Sequence, residues 1–189
     1  MKKLLILPAV LLMATPGVRA QDNGASMAKA NPDKKEAKAE KKEAKKELRK
    51  LKGAEVGVMA KNQFYQDFGK QDVTWKRSSY FDEASFVQDG KKMTAYYDND
   101  GELVGTTSPA MFSDIAVSAQ NKIKKDYKGY NIDRAILFDD NEENPLDMIL
   151  YGTEVSDEDN YFVELTKGAK TVIVKVNMEG EVSFFTEKK

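Results

Sequence analysis

Several groups of side chains in this sequence have the chemistry of a catalytic or metal site. Residues 98–102 read Asp-Asn-Asp-Gly-Glu, which is the spacing at the start of a calcium-binding loop. A complete loop has a bidentate Glu at its twelfth position, where this chain has Pro109. The related segment 177–181 (Asn-Met-Glu-Gly-Glu) lacks the same acids. We therefore predict a hairpin turn at 98–102 and no metal site there.

Two acidic pairs and two serines are the other candidates for chemistry. The pairs at 139–140 (Asp-Asp) and 142–143 (Glu-Glu) have the side chains of a cation site or an acid/base pair. Adjacent residues in a loop normally point apart, so we interpret these carboxylates as solvated charge. Ser108 and Ser113 have lysines nearby in sequence, but no Ser-x-x-Lys nucleophile motif is present.

The chain contains no Cys and no His. Without these residue types it cannot form most kinds of zinc site, and it has neither a Cys nucleophile nor a Ser-His-Asp relay. It also lacks disulfide bonds, so that packing must supply its stability. We therefore predict a protein that is not an enzyme, with no catalytic residue and no cofactor.

The N-terminus has the features of a secretory signal peptide. Lys2 and Lys3 precede an apolar run at 4–13, and residues 18–20 (Val-Arg-Ala) fit a small-residue cleavage site. The apolar run is too short to span a bilayer as a helix. This pattern predicts a periplasmic or secreted protein that is cleaved near Ala20, without a transmembrane span.

The charge of the remaining chain is divided into two parts. Residues 29–52 contain eleven Lys or Arg and five Asp or Glu, whereas residues 53–189 contain 16 and 25. We interpret residues 21–53 as a charged tether, disordered or partly helical, on an acidic body. An arm that binds a polyanion is the alternative.

Two segments of the body share one pattern, in which alternating apolar residues lead into an acidic-Gly turn and a second alternating run. They are residues 91–105 and 170–184, and they align Gly101 with Gly180. Because every second side chain of a strand points to the same face, each segment predicts a β-hairpin with one buried face. Strands are also expected at 73–77, 80–87, 131–138 and 161–166.

Each hairpin has a predicted helix upstream. Residues 56–68 carry an apolar residue at every fourth position and end at Gly69. Ser108 and Pro109 predict the start of a second helix, whose apolar stripe is Phe112, Ala116, Ala119, Ile123 and Tyr127. The order helix plus four strands thus occurs twice, at 54–107 and 108–189. We predict a two-layer α+β fold, a tandem repeat with both helices on one face of an antiparallel sheet.

This order, together with Val73-Thr74-Trp75, the Asp-Gly turns and a helix that Pro109 opens and that runs to Tyr127-Lys-Gly-Tyr130, resembles the PepSY-like, β-lactamase-inhibitor-like family of small secreted proteins. The resemblance covers about residues 54 to 187. It implies a tandem pair of α-β4 units and a periplasmic location, but no established enzyme activity. It also implies protein binding, since PepSY modules are thought to restrain peptidases and the namesake inhibitor grips its enzyme with the uncovered sheet face.

The segment at 139–160 is much longer than the corresponding junction at 78–79, and departs from the family pattern. It is either an extra strand or loop packed on the core, or a loop that binds a partner. If the alternating stripes face the helices, other side chains lie on the opposite sheet face. The residues that we predict to bind a protein partner are Tyr96, Ile173, Phe185, Met148 and Tyr151.

These observations favour a non-enzymatic periplasmic module that binds a protein, such as a peptidase, through an exposed sheet face. The alternative is an envelope-associated structural or stress protein whose basic tether binds an anionic polymer. A carboxylate-based enzyme at Asp139 or Glu142 is the third hypothesis. The sequence predicts no nucleic-acid partner and does not indicate the oligomeric state.

Overall fold

The computed structural model describes residues 55–188, together with Gly53 and residues 40, 43, 44, 46 and 47. The predicted signal peptide lies outside these residues, as does most of the predicted tether. Those tether residues that are described from 40 to 47 are helical. The elements of the body are β1 (Val73–Arg77), β2 (Asp82–Gln88), β3 (Lys91–Tyr97), β4 (Leu103–Ala110), β5 (Asn131–Asp140), β6 (Met148–Leu150), β7 (Thr153–Val155), β8 (Asn160–Lys167), β9 (Lys170–Asn177) and β10 (Val182–Lys188), with helices α1 (Val58–Phe68) and α2 (Val117–Asp126).

Eight of the strands form one antiparallel sheet in the order β1-β2-β3-β4-β5-β8-β9-β10. Strands that follow one another in the chain are neighbours in the sheet, apart from the insertion of β6 and β7 between β5 and β8. The pairing of β4 with β5 runs from Gly105–Asp140 to Ala110–Ala135 and joins the two halves of the sheet. The protein is therefore an α+β fold dominated by a large antiparallel sheet, with two helices in the body.

Both helices pack on the same face of this sheet. On α1, Ala60 and Phe64 are buried against Ala95 and Tyr97 of β3. On α2, Ala119 and Ile123 are buried in a second cluster with residues of β5, β8 and β9. Strand β4 shows that the face is shared, because Thr106 pairs with Ala95 and Ala110, four residues further on, packs against the α2 cluster. The predicted apolar stripes thus face the helices, as expected.

The turns that precede β4 and β10 have the same geometry. In the first, the Gly101 N–H donates to the Asp98 carbonyl at 3.3 Å, and in the second the Gly180 N–H donates to the Asn177 carbonyl at 3.0 Å. Both glycines have positive φ, 81° and 85°. A Cβ on Gly101 would lie 2.6 Å from the Met59 Cβ of α1, and one on Gly180 would lie 3.0 Å from the Ala116 Cβ beside α2. Each turn therefore abuts the start of the helix in its own half.

The prediction that Ser108 and Pro109 begin a helix is wrong. Both residues belong to β4, where Pro109 is paired with Ile136 of β5. Beyond Thr107, strand β4 has no pairing with β3, so this part of the strand is an edge, where Pro is tolerated. The chain then passes through a short 3-10 turn at Phe112–Asp114, and the helix begins only at Val117.

Candidate partner-binding face

The face of the sheet opposite the helices carries a row of hydroxyl side chains across the first four strands. Thr74 is paired with Ser85, Ser85 with Thr94, and Thr94 with Thr107. Because paired residues on one face are separated only by the spacing between strands, the four side chains form a line perpendicular to the strands. The Ser85 and Thr94 hydroxyls are 3.2 Å apart and share a hydrogen bond.

This row crosses a shallow concavity of about 830 Å³, which we call the open floor. Val87 has 57% of its surface exposed there, and Pro109 is also exposed. Lys92 provides a positive charge and Ile136 a half-buried apolar wall. The open floor therefore presents hydroxyl and aliphatic groups side by side. The residues lining it are Gln71, Asp72, Val73, Thr74, Ser85, Phe86, Val87, Lys92, Met93, Thr94, Thr107, Ser108, Pro109 and Ile136.

The sequence reasoning missed the hydroxyl row, although a signal for it was present. Thr74, Ser85 and Thr94 each lie between two residues of the helix-facing core, so strand alternation places them on the opposite face. Their alignment depends on the pairing register, which the separate strands do not encode. Thr107 could not be placed in the row from the sequence, since the predicted hairpin segment ended at residue 105.

The rest of this sheet face is covered. Strands β6 and β7 form a hairpin whose Met148, Leu150 and Val155 are buried against the main sheet. The segment at 139–160 therefore contains an extra hairpin packed on the core, the first of the two alternatives for it. The hairpin packs on five apolar side chains of the main sheet and the adjoining loop, which together we call the covered floor. They are Phe81, Val104, Phe138, Phe162 and Ile173.

The five predicted partner-binding residues all belong to, or pack against, the apolar cluster that the hairpin forms with the covered floor. Ile173 and Met148 have exposed fractions of 0% and 1%, so the expectation that they are available on the surface is wrong. The reason is that the hairpin lies on the face that we expected to be bare. Tyr96, Tyr151 and Phe185 are half-buried. A role of these residues in partner binding stays a prediction.

Tyr96 marks the boundary between the open and covered floors. Its ring packs edge-on against Phe81, with the centroids 5.9 Å apart, and its hydroxyl is 3.1 Å from the Thr107 hydroxyl of the row. Burial raises the pKa of the Tyr96 hydroxyl, which therefore keeps its proton at neutral pH. One side chain thus connects the hydroxyl row to the apolar cluster under the hairpin.

The tip of the hairpin is held by a buried carboxylate. Glu164 of β8 is 3% exposed and accepts hydrogen bonds from Tyr151 at 2.8 Å and Lys188 at 2.6 Å. It is also ion-paired with Arg134. Burial by itself would raise the pKa of Glu164, but the hydrogen bonds from these three side chains outweigh it and hold the pKa below its usual range. Glu164 is therefore ionised and fixes the hairpin tip to the sheet.

The acidic residues at the base of the hairpin are not all solvated, which corrects our interpretation of Asp140, whereas Asp139 is exposed. Both carboxylate oxygens of Asp140 are buried and have no hydrogen-bond partner within the described structure. Burial, with repulsion from Asp157, Asp159 and Glu142, raises the pKa of Asp140 to about 6. The pKa of Asp139 is raised as well, by burial and by Asp159.

The other candidates for chemistry have structural roles. The Asp98 carboxylate accepts hydrogen bonds from the N–H groups of Asp100 and Glu102, at 2.8 and 3.0 Å, and so closes its own turn. Ser108 lies in the wall of the open floor and Ser113 in the 3-10 turn. Among the residues described, no three acidic side chains are placed to hold a metal ion together.

Comparisons with known proteins support the fold. No protein-family model and no curated protein matches this sequence. Similar solved structures include a proposed periplasmic protein from Bacteroides eggerthii, at a TM-score of 0.56 and 10% identity, covering 70% of this chain and 89% of that one. A DUF2874 family protein from Bacteroides uniformis has a TM-score of 0.56 and 11% identity, covering 70% and 90%. A BLIP-like protein from Bacteroides fragilis has a TM-score of 0.54 and 11% identity, covering 73% and 91%.

These likenesses establish a BLIP-like fold, and at such low identity they establish the fold alone. They do not test the resemblance to PepSY-like proteins in particular, which remains a prediction. None of the helices in the described part of the chain has the length and apolar character of a membrane span.

Proposed function

We propose that this protein is a non-enzymatic periplasmic module that binds a protein through the open floor. The observation that carries the proposal is the uncovered half of the sheet face, where the hydroxyl row runs from the exposed Thr74 and Ser85 to the buried Thr107 and lies beside the exposed Val87. Apolar groups beside satisfied polar groups are the usual composition of a protein contact surface.

The shape of the open floor favours a macromolecule over a small molecule. A small ligand is usually bound in a cleft that removes most of its surface from water. The open floor instead extends over four neighbouring strands, and Ser85 within its hydroxyl row and Val87 beside the row are exposed. A partner with a convex surface can contact the whole floor at once.

The fold and the resemblance support the same proposal. A similar solved structure is called BLIP-like and another is a proposed periplasmic protein. The family resemblance implies that the helix-free sheet face grips an enzyme, so a peptidase is the partner class that we propose. The predicted signal peptide agrees with a periplasmic location.

We also propose that the fold is a tandem repeat of a helix with four strands. The matching geometry of the turns at Gly101 and Gly180, each abutting the start of its own helix, supports this duplication. In the first repeat the helix-free face remains open, whereas in the second repeat the inserted hairpin covers it. Because of this asymmetry, we propose that the first repeat binds the partner.

The test is capture of partners from a periplasmic extract, with identification by mass spectrometry. Val87→Asp introduces a charge into the open floor and should reduce capture at least about tenfold, as expected for loss of a central interface contact. Val117→Asp is the matched control, because Val117 is also an exposed valine, at 71%, but belongs to α2 on the other side of the sheet.

Equal capture by the wild type and both variants would refute the proposal. Capture that survives Val87→Asp, but is lost when residues 29–52 are deleted, would instead favour binding of an anionic polymer by the tether.

A further inference from the structure

The hairpin over the covered floor is structurally separate from the sheet on which it lies. Within residues 55–188, β6 pairs only with β7, and neither strand joins the eight-stranded sheet. The hairpin packs through apolar side chains, chiefly Met148, Leu150 and Val155. Its displacement would therefore break no backbone hydrogen bond between strands of the main sheet.

The base of the hairpin is electrostatically unfavourable. Residues 139–160 contain nine Asp or Glu and no Lys or Arg, although the rest of residues 53–189 has equal numbers of acidic and basic residues. The two ends of the segment meet where the Asp140 N–H donates to the Asp159 carboxylate at 2.8 Å. From the described part of the chain, the Asp140 carboxylate receives no hydrogen bond, and neither does the side-chain oxygen of the fully buried Asn160. Buried acceptors without donors cost free energy in the closed arrangement.

At the tip of the hairpin, one residue with a strained backbone is held by specific side-chain contacts. Tyr151 has a positive φ of 52°, which a side chain with a Cβ rarely adopts. Its hydroxyl donates to Glu164, and the Lys188 ammonium lies 5.1 Å from the centre of its ring. The hairpin is thus attached at its tip by Tyr151 and at its base by Asn141 and Asn144, whose side-chain amides donate to the Leu103 carbonyl at 2.7 and 3.1 Å. The strained backbone of Tyr151 and the buried Asp140 carboxylate oppose these contacts, as expected of an element that opens locally.

We propose that the β6–β7 hairpin is a displaceable lid, and that the covered floor beneath it is a concealed extension of the partner-binding surface. The proposal rests on the function assigned to the open floor, with which the covered floor is continuous through Tyr96. The occupant of the covered floor is a protein segment that presents aliphatic side chains in place of Met148, Leu150 and Val155. The lid itself shows that such side chains fit.

Thiol labelling tests the opening of the lid without any partner. The sequence contains no Cys, so an introduced Cys is the only thiol in the protein. Ile173→Cys places it under the lid, and Val174→Cys places it in the α2 cluster on the other face. Both residues are fully buried neighbours on β9, which makes them a matched pair.

At neutral pH and without denaturant, Ile173→Cys should react with a maleimide at least about tenfold faster than Val174→Cys, because local opening needs less free energy than global unfolding. Met148→Cys, on the lid itself, should react as fast as Ile173→Cys. Labelling of both at the rate of Val174→Cys, in step with global unfolding, would overturn the proposal.

Removal of the tip contact should loosen the lid. Tyr151→Phe in the Ile173→Cys background should raise the labelling rate about tenfold, since it removes a hydrogen bond to the charged Glu164 carboxylate. Tyr161→Phe is the control, because Tyr161 loses the same hydroxyl from β8 but packs on the α2 side. An equal rate in the two variants would refute the role of Tyr151.

The apolar dye anilinonaphthalene sulfonate probes the covered floor as a binding surface. Tyr151→Phe should bind more dye than the wild type, and Tyr161→Phe should not. Unchanged dye binding by Tyr151→Phe would contradict the concealed surface. These measurements are independent of partner capture, so failure of the lid proposal would leave the function of the open floor intact.

Discussion

At the scale of single residues, two buried carboxylates hold the inserted hairpin in opposite ways. Glu164 accepts from Tyr151 and Lys188 and pairs with Arg134, so its charge is compensated. Among the residues that the structure describes, the Asp140 carboxylate has no hydrogen-bond donor, and its neighbours are acidic. Ionisation therefore stabilises the folded state at Glu164 and destabilises it at Asp140.

Asp140 gives the protein a predictable dependence of stability on pH. Its pKa is about 6 in the folded state, against about 3.8 without the fold, so the folded state binds the proton more tightly. This contribution to stability is complete below about pH 4 and is lost as the pH rises through 6. Allowing for solvent screening, we expect Asp140→Asn to raise the free energy of unfolding at pH 8 by on the order of 1 kcal/mol.

The measurement is urea unfolding of the wild type and Asp140→Asn at pH 5 and pH 8. The gain from the substitution should be smaller at pH 5, where the wild-type carboxyl is mostly protonated. Asp133→Asn is the control, since Asp133 is exposed on the same strand. A gain that is equal at both pH values would contradict the assigned pKa.

At the scale of elements, the contact between each glycine turn and its helix positions the helix on the sheet. Gly101 has both a positive φ and no space for a Cβ, which would come within 2.7 Å of the Ala60 backbone nitrogen. Gly90 also has a positive φ, 77°, but has no atom within 4 Å of its Cβ position. An added Cβ at Gly90 would therefore meet only backbone strain, whereas one at Gly101 would meet both backbone strain and a steric clash with α1.

We predict that Gly90→Ala lowers the free energy of unfolding by about 1 kcal/mol, the cost of the left-handed backbone alone. Gly101→Ala should cost about 3 kcal/mol, because α1 must also shift away from the turn. Thermal or urea unfolding of the two variants checks this difference. Similar losses in both would mean that the turn does not position α1.

The sequence contained enough information for most elements but not for their arrangement. The alternation around Gly101 and Gly180 located β3 and β9, because a half-buried strand repeats every two residues. The Ser-Pro signal failed at Ser108, since the same residues are tolerated where a strand has lost one neighbour. The place of the hairpin could not be predicted, because tertiary packing of Met148 and Leu150 decides it.

At the scale of the whole molecule, one face of the sheet packs against both helices and the other is the face that we propose for recognition. The helices cover the first face in both halves, and the hairpin covers the second face in only one half. The exposed part of the second face is therefore the open floor on β1 to β4. The central claim is that a partner protein occupies this floor.

Substitution at the centre of the hydroxyl row tests this claim most directly. Thr94 is paired with Ser85 on one side and Thr107 on the other, so Thr94→Arg places a bulky charge in the middle of the floor. Asn121→Arg adds the same side chain at an exposed position of α2 and is the control. We predict that capture of the periplasmic partner falls at least about tenfold for Thr94→Arg and is unchanged for Asn121→Arg. Equal capture by the two variants would contradict the account.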